Sequence, residues 1–112
     1  MIRKAFLIIA LFSPIYANAN LQVLTTGNDL LYDIQQGKAG DGGSKLFILG
    51  FVRGVSDMQM LTGAACEPDG VDVNQLTDVI EEYLEKNPAT RNQAAAFLSA
   101  VAIHQTFPCK KG

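Results

Sequence analysis

Four separate runs of apolar residues recur at spacings of three and four along the chain, which is helix period and not strand alternation. Leu30, Leu31 and Ile34 share one face in the first run. Asn28 or Asp29 is placed to cap its start through a side-chain oxygen, and Gly37 is expected to stop it. Lys38-Ala39-Gly40-Asp41-Gly42-Gly43 reads as a linker. Ser44 opens the longest run, through Leu46, Phe47, Phe51, Val55, Met58 and Leu61, with Gly63 as its expected end. Leu46 to Val52 is apolar on every side, so this helix is expected to lie centrally. A Pro-Asp-Gly turn at 68–70 follows. Asp72 with Gln75 then reads as a capping box, ahead of a stripe of Val73, Leu76, Val79, Ile80, Tyr83 and Leu84. Asn87-Pro88 ends that helix, and Pro88 suits the first turn of the next element. Thr90 with Gln93 offers a second capping box for a fourth helix that reaches about Thr106, before Pro108. The fold class is therefore all-α: a small bundle of about four helices in one domain.

The N-terminus follows a different rule. Met1-Ile2-Arg3-Lys4 is basic, Ala5 to Phe12 is an unbroken apolar run, and Ala17-Asn18-Ala19 has the small-x-small pattern of a cleavage site. Residues 1–19 are read as a cleaved secretory signal, and residues 20–112 as the working domain. The apolar run is far shorter than the ~20 residues that span a bilayer, so no membrane attachment is expected after cleavage.

Composition then narrows the class. At 48% hydrophobic and a net charge of -2 the chain is neither disordered nor built to bind nucleic acid. Removing Arg3 and Lys4 from nine basic residues leaves seven against eleven acidic ones. The negative charge is local: Glu67, Asp69, Asp72, Asp78, Glu81, Glu82 and Glu85 face only Lys86 between residues 67 and 86. Asp78, Glu81, Glu82 and Glu85 fall opposite the apolar stripe of the third helix, as a solvated face or as a surface that steers a basic partner. Cys66 and Cys109 are the two cysteines, and in an exported small domain they read as a disulfide that ties the turn before the third helix to the end of the fourth.

Candidate chemistry is sparse. The Gly-rich segment at 37–43 runs into Gly43-Ser44-Lys45 and lacks a phosphate-loop ending. His104 is the single histidine, with no acid or nucleophile placed beside it by the sequence. No metal pattern is present, so no cofactor, no metal and no enzyme activity are expected. Gly50 and Gly54 form Gly-x-x-x-Gly within a helix, a spacing that allows close backbone approach, either in the core or across a dimer.

Gly50-Phe51-Val52-Arg53-Gly54-Val55-Ser56-Asp57 resembles the Gly-Tyr-x-x-Gly-Val-x-Asp helix of the Rap/Tai type VI secretion immunity proteins. Cys66-Glu67-Pro68-Asp69-Gly70-Val71 is similar to that family's Cys-Pro-x-Gly-Val turn, with Glu67 displacing its proline. Gly27-Asn28-Asp29-Leu30-Leu31, Tyr83 to Pro88, Ala94-Ala95 and Phe107-Pro108-Cys109 are similar too, so the resemblance spans the chain after the signal. A second cysteine pair found in many members is absent here, both partners together. The resemblance implies a periplasmic, homodimeric immunity protein that binds and blocks a secreted peptidoglycan amidase toxin. Its competitor is a small periplasmic stress or chaperone-like protein. On the first reading the contact residues are the seven carboxylates from Glu67 to Glu85, with Gly50 and Gly54 at a helix contact or dimer face.

Overall fold

Thr26, rather than Asn28 or Asp29, caps the first helix, α1 (Gly27–Lys38). In the computed structural model, which describes residues 25–110, the Thr26 hydroxyl accepts the Asp29 N–H at 3.2 Å and the Asp29 carboxylate accepts the Thr26 N–H at 2.9 Å. This reciprocal pair satisfies donors that have no partner inside the helix. The bonds from Thr26, the backbone one first, hold the Asp29 carboxyl below its ordinary value. Its stabilising share is therefore present above the ordinary aspartate range and is lost as the pH falls through the lowered value. The expected export signal at 1–19 lies outside the described residues.

Helix α2 (Gly42–Leu61) starts two residues before Ser44, because Asp41 accepts the Ser44 N–H at 2.8 Å and so acts as its cap. Gly63, at φ +73°, turns the chain away just beyond it. Helix α3 (Val73–Lys86) is capped by Asp72, which accepts the Gln75 N–H at 2.8 Å; the reverse half of the expected capping box does not form. Pro88–Thr90 is a single 3-10 turn, and α4 (Ala95–Thr106) begins later than Thr90.

The Thr90–Gln93 capping box is corrected for a tertiary reason. The start of α4 is capped by backbone instead of side chain. Ala95 N–H donates to the Thr25 carbonyl at 2.9 Å, and Gly27 N–H donates to the Gln93 carbonyl at 3.0 Å. Asn28 N–H reaches the Arg91 carbonyl at 2.9 Å. The entries to α1 and α4 thus satisfy each other through a bridge between Thr26 and Ala94. That approach needs glycine at 27: a Cβ there would lie 2.6 Å from Leu98 Cδ1 and 2.9 Å from the Arg91 carbonyl oxygen.

Each of the four helices packs against the other three. Leu30 and Ile34, Val52, Ile80 and Leu84, and Leu98 and Ile103 meet in one core. The expectation that α2 lies centrally is overturned. It buries only Ile48, Val52 and Ser56, whereas Leu46 is 73% and Leu61 82% exposed. Helices α1 and α4 are the more deeply buried, each with five buried residues of twelve, and the buried Ala95, Ser99 and Ala102 of α4 are small enough to admit neighbours closely. Ser99 is fully buried, and its hydroxyl has no hydrogen-bond partner. Ser99→Ala removes an unsatisfied polar atom without adding volume, and is expected to raise stability by about 1 kcal/mol in urea unfolding.

Candidate protein-binding site

Cys66 and Cys109 form a disulfide with their Cα atoms 4.9 Å apart, and the Cys66 N–H donates to the Phe107 carbonyl at 2.9 Å. The turn that carries Glu67 and Asp69 is therefore held against the end of α4. It is also tied to α2, since the buried Ser56 hydroxyl donates to Glu67 Oε2 at 2.6 Å. His104 adds a third tie: its Nδ1 lies 2.6 Å from the Ala64 carbonyl oxygen. A carbonyl only accepts, so Nδ1 carries the proton in this contact. Among the described residues, no acid or nucleophile is hydrogen-bonded to the ring.

The seven carboxylates fall into different situations. Asp72 is spent as a helix cap, and Glu67 holds Ser56. Asp78 and Glu81 both accept from Lys38 Nζ, at 3.1 and 2.5 Å, across forty residues of sequence. Glu82 accepts from Lys86 at 2.5 Å, one turn along α3. Asp69 and Glu85 are exposed and have no hydrogen-bond or ion-pair partner among the described residues. The sequence places Lys38 in a linker and not beside the acidic face, because helix period does not reveal which face of α1 meets α3. The Glu81 hydrogen bond, ahead of the Asp78 one, raises the Lys38 ammonium above its ordinary value. Its stabilising share is complete below the ordinary lysine range and is lost only as the pH rises through the raised value. These are exposed pairs, so the stabilisation is small, and their larger effect is to offset charge on the stripe.

The model of the Rap1a immunity protein family matches residues 26–109. The chain belongs to this family. No curated protein and no solved structure matches the chain. Membership of the Rap1a immunity family implies a toxin as binding partner. Among the described residues, no cluster of His, Cys, Asp or Glu is placed to hold a metal ion. No helix among them is long and apolar enough to cross a membrane.

Two surface features were not legible in the sequence. A cleft of about 590 Å³ opens between α1, α2 and α3, lined by Ile34, Gly37, Lys45, Ile48, Leu49 and Thr77. The second feature is the outer face of α2. The core contact expected for Gly50 and Gly54 is not there, since a Cβ at either position would meet nothing within 4 Å. Both glycines instead line a shallow apolar groove with Ala96 and Ala100 of α4.

Proposed function

We propose that this Rap1a-family chain is a non-enzymatic, periplasmic immunity protein. It is exported by residues 1–19, and it binds and blocks a peptidoglycan amidase delivered by type VI secretion. The family match over residues 26–109 carries the reading. The Cys66–Cys109 disulfide supports an oxidising compartment. Blocking needs no chemistry from the inhibitor: a rigid surface seated over a cleft excludes substrate. The turn at 66–72 suits that task, because a loop already tied by a disulfide, by Ser56 and by the Phe107 carbonyl has little freedom to lose on binding.

Complementary charge would then set the association rate. Asp69 and Glu85 are the residues with which to test this, since neither holds the fold. Asp69→Lys with Glu85→Lys is expected to slow association with the captured amidase about tenfold, with little change in urea midpoint. An unchanged rate would remove the acidic surface from the contact. Expression with and without the export segment, in cells that carry the amidase in the periplasm, tests the wider reading. Protection should require export, and loss of protection with export intact would refute it.

The exposed apolar residues of α2 favour one alternative, a periplasmic chaperone-like protein that holds unfolded clients. Capture of one stoichiometric lytic partner supports the immunity reading, and capture of many unfolded proteins supports the alternative. We propose also that the chain forms the homodimer that the resemblance implies.

A further inference from the structure

The cleft between α1, α2 and α3 has the dimensions and the chemistry of a small-molecule site. Its volume is about 590 Å³, and such sites enclose ~300–1,000 Å³. Its walls are apolar. Buried Ile34 and Gly37 come from α1, buried Ile48 and exposed Leu49 from α2, and Val73 with Thr77 from α3. Thr77 is buried, and its hydroxyl donates to the Val73 carbonyl at 2.7 Å, so its one proton is spent within α3. An apolar body can therefore enter without stripping water from an unpaired donor on these walls.

The polar residues of the lining decide what kind of molecule suits it. They are Lys38, Lys45, Asn74 and Asp78. Asp78 accepts from Lys38 Nζ at 3.1 Å, and Glu81 takes the same ammonium at 2.5 Å, so that charge is already offset. The Lys45 ammonium has no hydrogen-bond or ion-pair partner among the described residues. The carboxylates near its end of α2 are engaged elsewhere. Asp41 caps the helix, Asp33 accepts from Ser44 Oγ at 3.4 Å, and neither lines the cleft. The Lys45 stem is seated on α1, since a Cβ at Gly37 would lie 3.5 Å from Lys45 Cγ. Its charge thus stands on an anchored base at the mouth of an apolar cleft. Asn74 is exposed one turn before Asp78 and adds an amide that can donate.

From this arrangement we propose that the cleft binds an amphiphilic monoanion, its apolar body between Ile34, Ile48 and Val73 and its head group at Lys45 and Asn74. One uncompensated ammonium, in a chain whose net charge is -2, selects an anion, and two ammonium groups together disfavour a cation. The occupant is the free anion of a medium-chain fatty acid. The cleft takes a single chain, whereas attachment to a lipid surface calls for several basic residues on one face. The proposal goes beyond the immunity reading and depends neither on the toxin nor on the homodimer.

The test is a titration of the isotope-labelled exported protein, disulfide intact, with decanoate, followed through the amide resonances. Saturable shifts are expected at Gly37, Lys45, Leu49 and Thr77, with a dissociation constant on the order of 50 µM. The amides of Gly50 and Gly54, in the separate groove toward α4, should stay in place. Decanol carries the same chain without the charge and should bind about tenfold more weakly. Lys45→Met keeps the stem and removes the charge, so decanoate and decanol should then bind alike, and Lys45→Arg should restore the preference. The urea midpoint should not move in either variant, since the ammonium holds nothing in the fold. Leu49→Asp sets a carboxylate on the wall at an exposed position and should abolish binding of both compounds. No saturable shift below about 1 mM decanoate overturns the proposal. So do shifts centred on Gly50 and Gly54, equal affinity for decanol, or a preference that survives Lys45→Met. Flotation with phosphatidylglycerol vesicles separates the free anion from a lipid surface. The protein should stay in the aqueous fraction, and co-flotation without decanoate binding overturns the assignment. Protection against the amidase enters none of these readouts, so the immunity reading and this one fail separately.

Discussion

Replacing Cys66 and Cys109 together by serine is expected to lower stability by about 4 kcal/mol, the largest effect of any change outside the core. The loop closed by the disulfide is about 44 residues long, and opening it returns that freedom to the unfolded chain. It spans the end of α2's exit turn, all of α3, the 3-10 turn and α4. A domain this small has few other reserves, because it buries only about 60–65% of its unfolded surface. Urea unfolding of the wild-type and serine forms, monitored by circular dichroism at 222 nm, measures the difference. A loss below about 1 kcal/mol would mean that the Cys66 N–H to Phe107 bond and the His104 contact hold the ends together by themselves. Toxin association should slow as well, since the turn bearing Glu67 and Asp69 loses its tie to α4.

Leu98→Ala is expected to cost about 3 kcal/mol, and Leu46→Ala less than about 0.5 kcal/mol, in dilute solution. The two substitutions remove the same atoms from opposite environments. Leu98 is buried at the centre of α4 and touches the position where Gly27 enters α1, whereas Leu46 stands out from α2. The cavity at 98 would also loosen the mutual backbone capping of α1 and α4, so hydrogen exchange of the Gly27 and Ala95 amides should quicken together. Equal costs for the two in dilute solution would restore α2 to the centre of the fold.

That reversal shows how far the sequence could be read. Four helices, their approximate limits and the cysteine pair were all legible, because period and turn chemistry are local. The apolar run from Leu46 to Val52 was misread as a central helix. Periodicity reports which faces of a helix are apolar, and a helix apolar on every side signals burial only if something covers each side. In this chain the other helices cover only the side of α2 that carries Ile48, Val52 and Ser56. The capping errors have a similar origin. Thr90 and Gln93 carry the residue types of a capping box, yet their N–H groups donate to the Asn87 and Thr90 carbonyls, and α4 starts later, where the Ala95 N–H meets the Thr25 carbonyl, distant in sequence.

The candidate site was legible in composition and not in arrangement. The excess of carboxylates between Glu67 and Glu85 follows from the residues alone. Which of them are free was decided by tertiary structure, when α1 laid Lys38 between Asp78 and Glu81 and α2 presented Ser56 to Glu67. Helical character and the local negative charge were set by short-range patterns, and the tie between Cys66 and Cys109 followed from the chain having two cysteines. The burial of α1 and α4, the outward turn of Gly50 and Gly54, and the unpaired state of Asp69 and Glu85 were set by how the helices pack, as when Lys38 meets Asp78 and Glu81 forty and forty-three residues away. The physical reason is that a helix knows its own faces from its sequence, but only the packed bundle determines which face another helix will cover.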